Sequence, residues 1–319
     1  MNAASTKTKS NYGGLLKIFV SASLLFLVYK SVNFKTLLNN LSEISIISIL
    51  YLCLLYLTGQ IISIFKWRIF LKAAGINKDL MSIVRAYFFG MFINAFGGIG
   101  TVGGDLARSI ALKPEKGFRA ASLASVAADR IHGLATLLLL GSISIAIFRP
   151  ENLGQNFIWL CSLGSVGLLI LWLLGPKVLL WLIPKNNKFH LTIESACQAF
   201  PSSWDTLLAA GLISLCLHTI QIFMVFLIAK ELHADIPLSY LFSTVPIVNA
   251  ASSLPISTNG LGIRETMFNT FFSPLGISIE KSVAFGALWL IVVSIVSSVG
   301  GVILAPGLIF KKRHEIEKV

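Results

Sequence analysis

Long runs of apolar residues constrain the fold of this chain more than any other feature. About 20 such residues cross the hydrocarbon core of a membrane as a helix. Only 13% of the residues are charged, whereas a soluble domain has about 25%. The sequence therefore predicts an all-α polytopic protein of the cell membrane, forming one transmembrane domain over residues 1–319. Six full spans are predicted, at approximately 14–29, 44–65, 120–148, 156–182, 206–229 and 283–309.

Two further apolar stretches, residues 81–112 and 237–272, are interrupted in the middle by Gly, Pro and Asn. Neither half of either stretch is long enough to span alone, so both are predicted to be re-entrant hairpins. With the N-terminus inside, this topology places most Lys and Arg residues on the cytoplasmic side, as the positive-inside rule requires. That side includes Lys66, Arg68 and Lys72 in the loop after the second span. Both termini are predicted to be cytoplasmic.

The two broken stretches share a pattern. The first reads "NAFGGIGTVGGDLAR" from Asn94 to Arg108, and the second reads "NAASSLPISTNGLGIRE" from Asn249 to Glu265. Each opens with Asn-Ala, passes through small residues and glycines, and closes on an Arg near a carboxylate. Since the predicted hairpins enter from opposite sides, the pattern indicates an inverted repeat with a binding site near the midplane.

The first stretch also contains G-x-G-x-x-G at Gly98, Gly100 and Gly103, the fingerprint of a dinucleotide-binding turn. That interpretation requires a preceding strand, whereas "AYFFGMFI" precedes the motif here, so no cofactor is expected. Glycines also permit tight reversals, and their N–H groups suit an anion such as phosphate. The residues predicted to form the two turns are Gly97, Gly98, Gly100, Gly103, Gly104, Pro255, Gly260 and Gly262.

Charged residues within apolar segments are the main candidates for a site. A charge at the centre of a membrane helix costs roughly 2.5–3.5 kcal/mol on insertion scales, so each must pair or face a polar cavity. Two interpretations stay open: Asp129 neutralises an Arg and locks the hairpins, or at least one Arg binds substrate, since its planar fork suits phosphate. The predicted headgroup-binding residues are Asn94, Asp105, Arg108, Asp129, Arg130, His132, Asn249, Ser257, Asn259, Arg264 and Glu265.

Catalytic and metal chemistry find little support in the sequence. Asp105 and Glu265 are the only plausible acid–base pair, and the Arg near each suits charge balance better. For His132, packing is favoured over proton transfer because no partner is evident. The four cysteines form no CxxC motif, so no metal site is expected. We therefore expect a protein that is not an enzyme.

Three smaller features carry structural predictions. The segment "VNFKTLLNNLSEI" places Phe34 and Leu37 at helical spacing, which predicts a helix lying flat on the outer membrane surface. Residues 184–205 are predicted to be the longest polar loop. The pair Gly300 and Gly301 predicts close helix packing.

Three motifs in this order resemble the flippase-like transmembrane family, whose best-known member is the membrane half of lysylphosphatidylglycerol synthase. They are "GGIGTVGGDLAR", "ASVAADRIHGL" and "LPISTNGLGIRE". Asp129 and Arg130 match the second motif, and Asn259 stands where many relatives have Gly. The third motif is matched by Pro255, Ser257, Gly260, Gly262, Arg264 and Glu265.

The resemblance implies translocation of a lipid between leaflets. Because no aminoacyltransferase domain follows, we expect a stand-alone member that does not make its own lipid. The expected partners are membrane lipids, anionic or phosphate-containing, and a lipid-synthesising enzyme. Despite a net charge of +12, nucleic acid is not expected, since the basic residues lie between apolar runs. A secondary transporter of a small anion and a membrane-embedded lipid transferase remain the alternatives.

Overall fold

The computed structural model describes residues 30–97, 100–115, 117–187 and 189–316, with positions 19, 22, 23, 25 and 26, and side chains as far as Val302. Within those ranges the regular elements are helices. In chain order they are α1 (Phe34–Ser42), α2 (Ile46–Ala73), α3 (Leu80–Phe96), α4 (Gly100–Ala111), α5 (Arg119–Phe148), α6 (Gln155–Leu182), α7 (His190–Cys197), α8 (Trp204–Glu231), α9 (Leu238–Ser253), α10 (Ile263–Phe272) and α11 (Ile279–Ile316). A 3₁₀ turn, Ser273–Leu275, follows α10.

Five of these helices are long and apolar enough to cross a membrane: α2, α5, α6, α8 and the Ile279–Val302 part of α11. They correspond to five of the six predicted spans, so the prediction of an all-helical, multi-pass membrane protein is confirmed for the described residues. The remaining predicted span, 14–29, lies almost entirely outside them.

The second predicted span ends too early. Helix α2 continues to Ala73, so the sequence-based assignment of Lys66 to a cytoplasmic loop is wrong. Lys66 lies on the helix with only 3% of its surface exposed. The predicted span ended before Lys66 because hydropathy is averaged over neighbouring residues. Such an average does not include the compensating charge of Asp129 on another helix.

The segments outside the long helices are partly as predicted. Helix α1 forms where helical spacing predicted it; the Asn33 side chain accepts from the Lys35 amide at 3.1 Å, and Leu37 is buried. The predicted polar loop over 184–205 is corrected in one respect, because it contains α7. Trp172 of α6 donates to the main-chain oxygen of Pro201 at 3.0 Å and so holds the end of this connection.

The two broken stretches fold back on themselves as helical hairpins. In the first, α3 and α4 run antiparallel so closely that a Cβ on Gly90 would lie 2.7 Å from the Gly104 carbonyl oxygen. In the second, the Tyr240 hydroxyl near the start of α9 donates to the main-chain oxygen of Phe271 at the end of α10, at 2.6 Å. Each stretch therefore ends at the level where it began.

The turn of the first hairpin is shorter than predicted. Gly97 ends α3, its N–H donating to Ile93, and Gly100 opens α4. The prediction that Gly103 and Gly104 form the turn is wrong, because both lie inside α4. The small size of Gly104 serves close packing of α4 on α3 instead, because a Cβ there would lie 2.7 Å from Asn94 Cγ. Gly98 lies outside the described residues.

The turn of the second hairpin contains the predicted residues Pro255, Gly260 and Gly262. Gly260 and Gly262 have φ angles of +78° and +81°, in the left-handed region that favours glycine. Asn259 is also left-handed, with φ of +55°. Asn adopts this region more readily than most other non-glycine residues, which explains how a non-glycine residue fits at this position of the turn.

The two hairpins begin at opposite ends of the bundle. The Ser48 hydroxyl donates to Glu231 at 2.6 Å, so the start of α2 lies beside the end of α8. The rings of Phe148 and Phe242 lie 6.5 Å apart, which brings the end of α5 to the start of α9 at this same end. The first hairpin follows the far end of α2 and therefore starts at the other end.

Helix α11 packs against both hairpins. The predicted packing role of Gly300 and Gly301 is confirmed, because a Cβ on Gly301 would lie 2.8 Å from the Phe92 ring of α3, and Gly300 faces the Phe88 carbonyl. Nearer the start of α11, the Phe285 ring lies 5.0 Å from the ring of Phe272 of α10. One helix thus fixes the first hairpin relative to the second.

Candidate functional site

A cavity of about 430 Å³ lies between the two hairpins, where α2, α5, α8 and α11 complete its wall. All six charged residues predicted from the sequence line it, together with one that was not predicted. The seven are Lys66, Asp105, Arg108, Asp129, Arg130, Arg264 and Glu265. The structure therefore brings together side chains from two distant broken stretches and from the middle of a long apolar helix.

Asp129 of α5 pairs with two cations. Its Oδ1 lies 3.2 Å from Lys66 Nζ, and its Oδ2 accepts from Arg108 Nη2 at 3.0 Å. Lys66 also donates to the main-chain oxygen of Asp129 at 2.8 Å. The three side chains are 3–9% exposed. Such burial is tolerated only when charges are paired and hydrogen-bonded.

Asp105 of α4 extends this network. It accepts two parallel hydrogen bonds from Arg130, at 2.9 Å from Nε and 3.0 Å from Nη2, and lies 3.4 Å from Arg108 Nε. The result is a chain of alternating charges from Lys66 through Asp129, Arg108 and Asp105 to Arg130, which ties the first hairpin to α2 and α5. Arg130, with 41% of its side chain exposed, is the outermost member.

Aromatic rings support the inner arginine. The Arg108 guanidinium carbon lies 4.9 Å from the ring centre of Trp67 and 5.4 Å from that of Tyr87. Trp67 is itself fixed by a hydrogen bond of 3.1 Å to Ser125. Ring faces attract a cation electrostatically, so these contacts help to hold the charge of Arg108 in an apolar bundle.

Arg264 of the second hairpin is bound differently. Its guanidinium carbon lies 4.5 Å from the ring centre of Trp289. In the described part of the chain it makes no ion pair, and its Nε is buried without a hydrogen-bond partner. Its planar donor group therefore has unused hydrogen-bonding capacity beside the cavity.

The carboxylate next to Arg264 in sequence does not pair with it. Glu265 accepts from the Gly262 amide at 2.8 Å and so caps its own helix. The close approach of α11 at Gly286 buries Glu265, which is 3% exposed. Consecutive helical residues point in different directions, and this is why the expected pairing within the third motif is absent.

The predicted asparagines lie at the cavity, since Asn94, Asn249 and Asn259 all line it. Asn249 donates to Gln221 of α8 at 3.3 Å. The Oδ1 atom of Asn94 is buried and has no hydrogen-bond partner among the described residues. These amides add neutral donors and acceptors to a wall dominated by charge.

Two predicted residues do not line the cavity. The His132 ring lies 5.6 Å from both Phe70 and Trp172, which agrees with packing rather than proton transfer. Ser257 is 2% exposed and lies in the turn of the second hairpin. Neither residue therefore belongs to the wall of the cavity.

Sequence reasoning missed the polar stripe of α2. Tyr56, Gln60, Ser63 and Lys66 all line the cavity, and Gln60 accepts from the Tyr87 hydroxyl at 3.0 Å. Their spacing places them on one helix face. A polar stripe on an apolar helix was therefore the signal that could have identified them.

A second missed group lies on α8, where His218 and Gln221 also line the cavity. His218 Nε2 lies 3.0 Å from the Gly133 main-chain oxygen. The described ranges contain no group of three or more His, Cys, Asp or Glu side chains that could hold a metal ion.

Comparison with models of protein families identifies the family of this chain. Residues 14–301 match the family described as "Lysylphosphatidylglycerol synthase TM region". The chain belongs to this family. Membership confirms the resemblance seen in the three motifs and links the protein to membrane lipids. A search of curated proteins finds no significant match.

The three motifs of the sequence thus meet around one cavity. The first supplies Asp105 and Arg108, the second Asp129 and Arg130, and the third Arg264 and Glu265. Guanidinium groups with free donors bind phosphate oxygens in pairs. The arrangement is therefore suited to holding an anionic group inside an apolar helix bundle.

Proposed function

We propose that the protein moves a polar, phosphate-containing lipid between the two leaflets of the cell membrane. The headgroup passes through the cavity while the acyl chains stay in the bilayer. The observation that carries this proposal is the meeting of seven Lys, Arg, Asp and Glu side chains at one cavity in a bundle of apolar helices. Charges at membrane depth are costly and mark substrate pathways.

The arrangement of the hairpins supports the same function. If the five long helices cross the bilayer, both hairpins are re-entrant, enter from opposite faces and place their turns near the midplane. Inverted repeats with broken helices at the site are typical of membrane transporters. With the positive-inside rule, both termini are cytoplasmic.

The direct test is lipid exchange in reconstituted vesicles. Purified protein is incorporated with fluorescently labelled phosphatidylglycerol, phosphatidylethanolamine and a polyprenyl phosphate sugar, and outer-leaflet label is bleached with dithionite. We expect bleaching beyond the outer-leaflet fraction for at least one lipid. If no lipid exchanges faster than in protein-free vesicles, the proposal is wrong.

Arg130→Gln gives a residue-level test in the same assay. Arg130 is the most exposed member of the ion-pair chain. Its replacement is therefore expected to slow lipid exchange while lowering the stability of the protein only slightly. Arg149→Gln is the matched control, because Arg149 is exposed and does not line the cavity. Equal exchange rates for the two variants would contradict a role for Arg130 in transport.

The vesicles also separate the two alternatives. Uptake of radiolabelled inorganic phosphate without lipid exchange would identify a carrier of small anions. A covalently altered lipid, detected by mass spectrometry after incubation, would identify a transferase. Under the proposed function neither signal is expected.

A further inference from the structure

The cavity carries a surplus of positive charge. Among the described residues its lining contains four cations, Lys66, Arg108, Arg130 and Arg264, and three carboxylates, Asp105, Asp129 and Glu265. Protonation of Glu265 would enlarge the surplus, because it removes a negative charge. An apolar bundle leaves little water to screen this surplus, so the charge of a ligand matters strongly.

Arg264 is the cation best placed to bind a ligand. The other three already pair with Asp105 or Asp129 at 2.9–3.4 Å. Among the described residues Arg264 makes no ion pair, and its guanidinium lies over the ring of Trp289, a contact that fixes the guanidinium plane without using its N–H groups. A fixed plane with free parallel donors matches two oxygens of a phosphate group.

We propose that Arg264 is the primary phosphate ligand and that the cavity accepts only lipids whose headgroup has a net negative charge. This inference rests on the proposed function. A phosphodiester with a neutral alcohol, as in phosphatidylglycerol, neutralises the surplus. A lysyl ester of the same lipid adds two ammonium groups, becomes net cationic and increases the surplus. The cavity therefore excludes lysylphosphatidylglycerol, the lipid named in the description of its family.

The test is competitive binding to the purified full chain in neutral detergent. Phosphatidylglycerol, phosphatidylethanolamine and lysylphosphatidylglycerol are offered in equal amounts, and bound lipid is measured by native mass spectrometry. The two ammonium groups of the lysyl ester are repelled by the surplus positive charge of the cavity, so we expect about tenfold or more preference for phosphatidylglycerol over its lysyl ester. Equal binding, or preference for the ester, would overturn the inference.

Inorganic phosphate distinguishes the source of the anion. Added at the same concentration as the lipid, it is expected to leave bound phosphatidylglycerol in place, because it lacks acyl chains. Displacement under these conditions would assign the site to free phosphate and refute selection of a lipid.

Variants of Arg264 test the anchor itself. Arg264→Gln is expected to lose about tenfold or more of phosphatidylglycerol binding, and Arg264→Lys to lose less, because a point charge replaces the planar fork. Arg149→Gln should bind as the unmodified protein does. Full binding by a folded Arg264→Gln variant would refute the role of Arg264 as the phosphate ligand. If that variant does not fold, full binding by Arg264→Lys would refute recognition of the phosphate by a planar guanidinium.

Vesicle transport run in parallel separates this inference from the proposed function. Equal exchange of phosphatidylglycerol and its lysyl ester would overturn charge selection while leaving lipid translocation intact. Selective binding without exchange of any lipid would overturn translocation and leave the charge selection standing.

Discussion

Asp129→Asn is the substitution with the largest expected cost. Asp129 is the sole carboxylate beside Lys66 in the described residues, at 3.2 Å, and it also accepts from Arg108 at 3.0 Å. The Lys66 and Arg108 side chains are 3% and 6% exposed, so water cannot solvate the two cations when the carboxylate is lost. Breaking a buried ion pair by removing one partner costs about 3–5 kcal/mol, and we expect a loss of this size in the free energy of unfolding.

A double-mutant cycle isolates the electrostatic part of this cost. Lys66→Met removes one cation while Asp129 keeps Arg108, so its cost is expected to be smaller. In the double variant no unpaired Lys66 charge remains, and the loss should be less than the sum of the two single losses. The expected coupling is within about 0.5–3 kcal/mol, the range for residues in one network.

The assay is equilibrium unfolding in mixed micelles with increasing SDS, followed by tryptophan fluorescence. Asp205→Asn is the matched control, because Asp205 is exposed at the start of α8 and its loss should be close to neutral. Unchanged stability of Asp129→Asn, or strictly additive losses in the cycle, would refute a structural role for the network.

Two further substitutions test packing against function. Gly104→Ala places a Cβ against the Gly90 carbonyl and 2.7 Å from Asn94 Cγ, so overpacking is expected to cost about 1–3 kcal/mol. Gly167→Ala meets open space and should cost nothing in the same unfolding assay; equal stability of the two variants would contradict close packing of the first hairpin. His132→Phe should leave lipid exchange near the unmodified rate, because the ring packs beside Trp172 outside the cavity. A large loss of exchange in this folded variant would show that His132 takes part in transport.

The helices and their interruptions could be predicted because the bilayer imposes a local rule. Length and apolar content decide whether a segment can span, and this rule located α5, α6 and α8 closely. Gly, Pro and Asn marked the two breaks, where backbone without helical partners needs cover or water. Charge in an apolar segment was a sufficient signal to find Asp129 and Arg130.

The rule failed where a residue's surroundings come from another part of the chain. Lys66 was assigned to a loop because its compensating carboxylate lies on α5. Gly104 was assigned to a turn, although its small size serves the contact between α3 and α4. In both cases the deciding neighbour is distant in sequence.

By itself the sequence determined which long apolar segments are helical, where two of them break and that Asp129 and Arg130 lie in apolar surroundings, because each follows from a short window of residues and the solvent around it. Only the tertiary structure decided the partners of those charges. Arg108 pairs with Asp129, 21 residues away, whereas Arg264 stacks on Trp289 instead of pairing with Glu265 beside it. The physical reason is that adjacent residues on a helix point apart, and the packing of separate helices chooses which side chains meet.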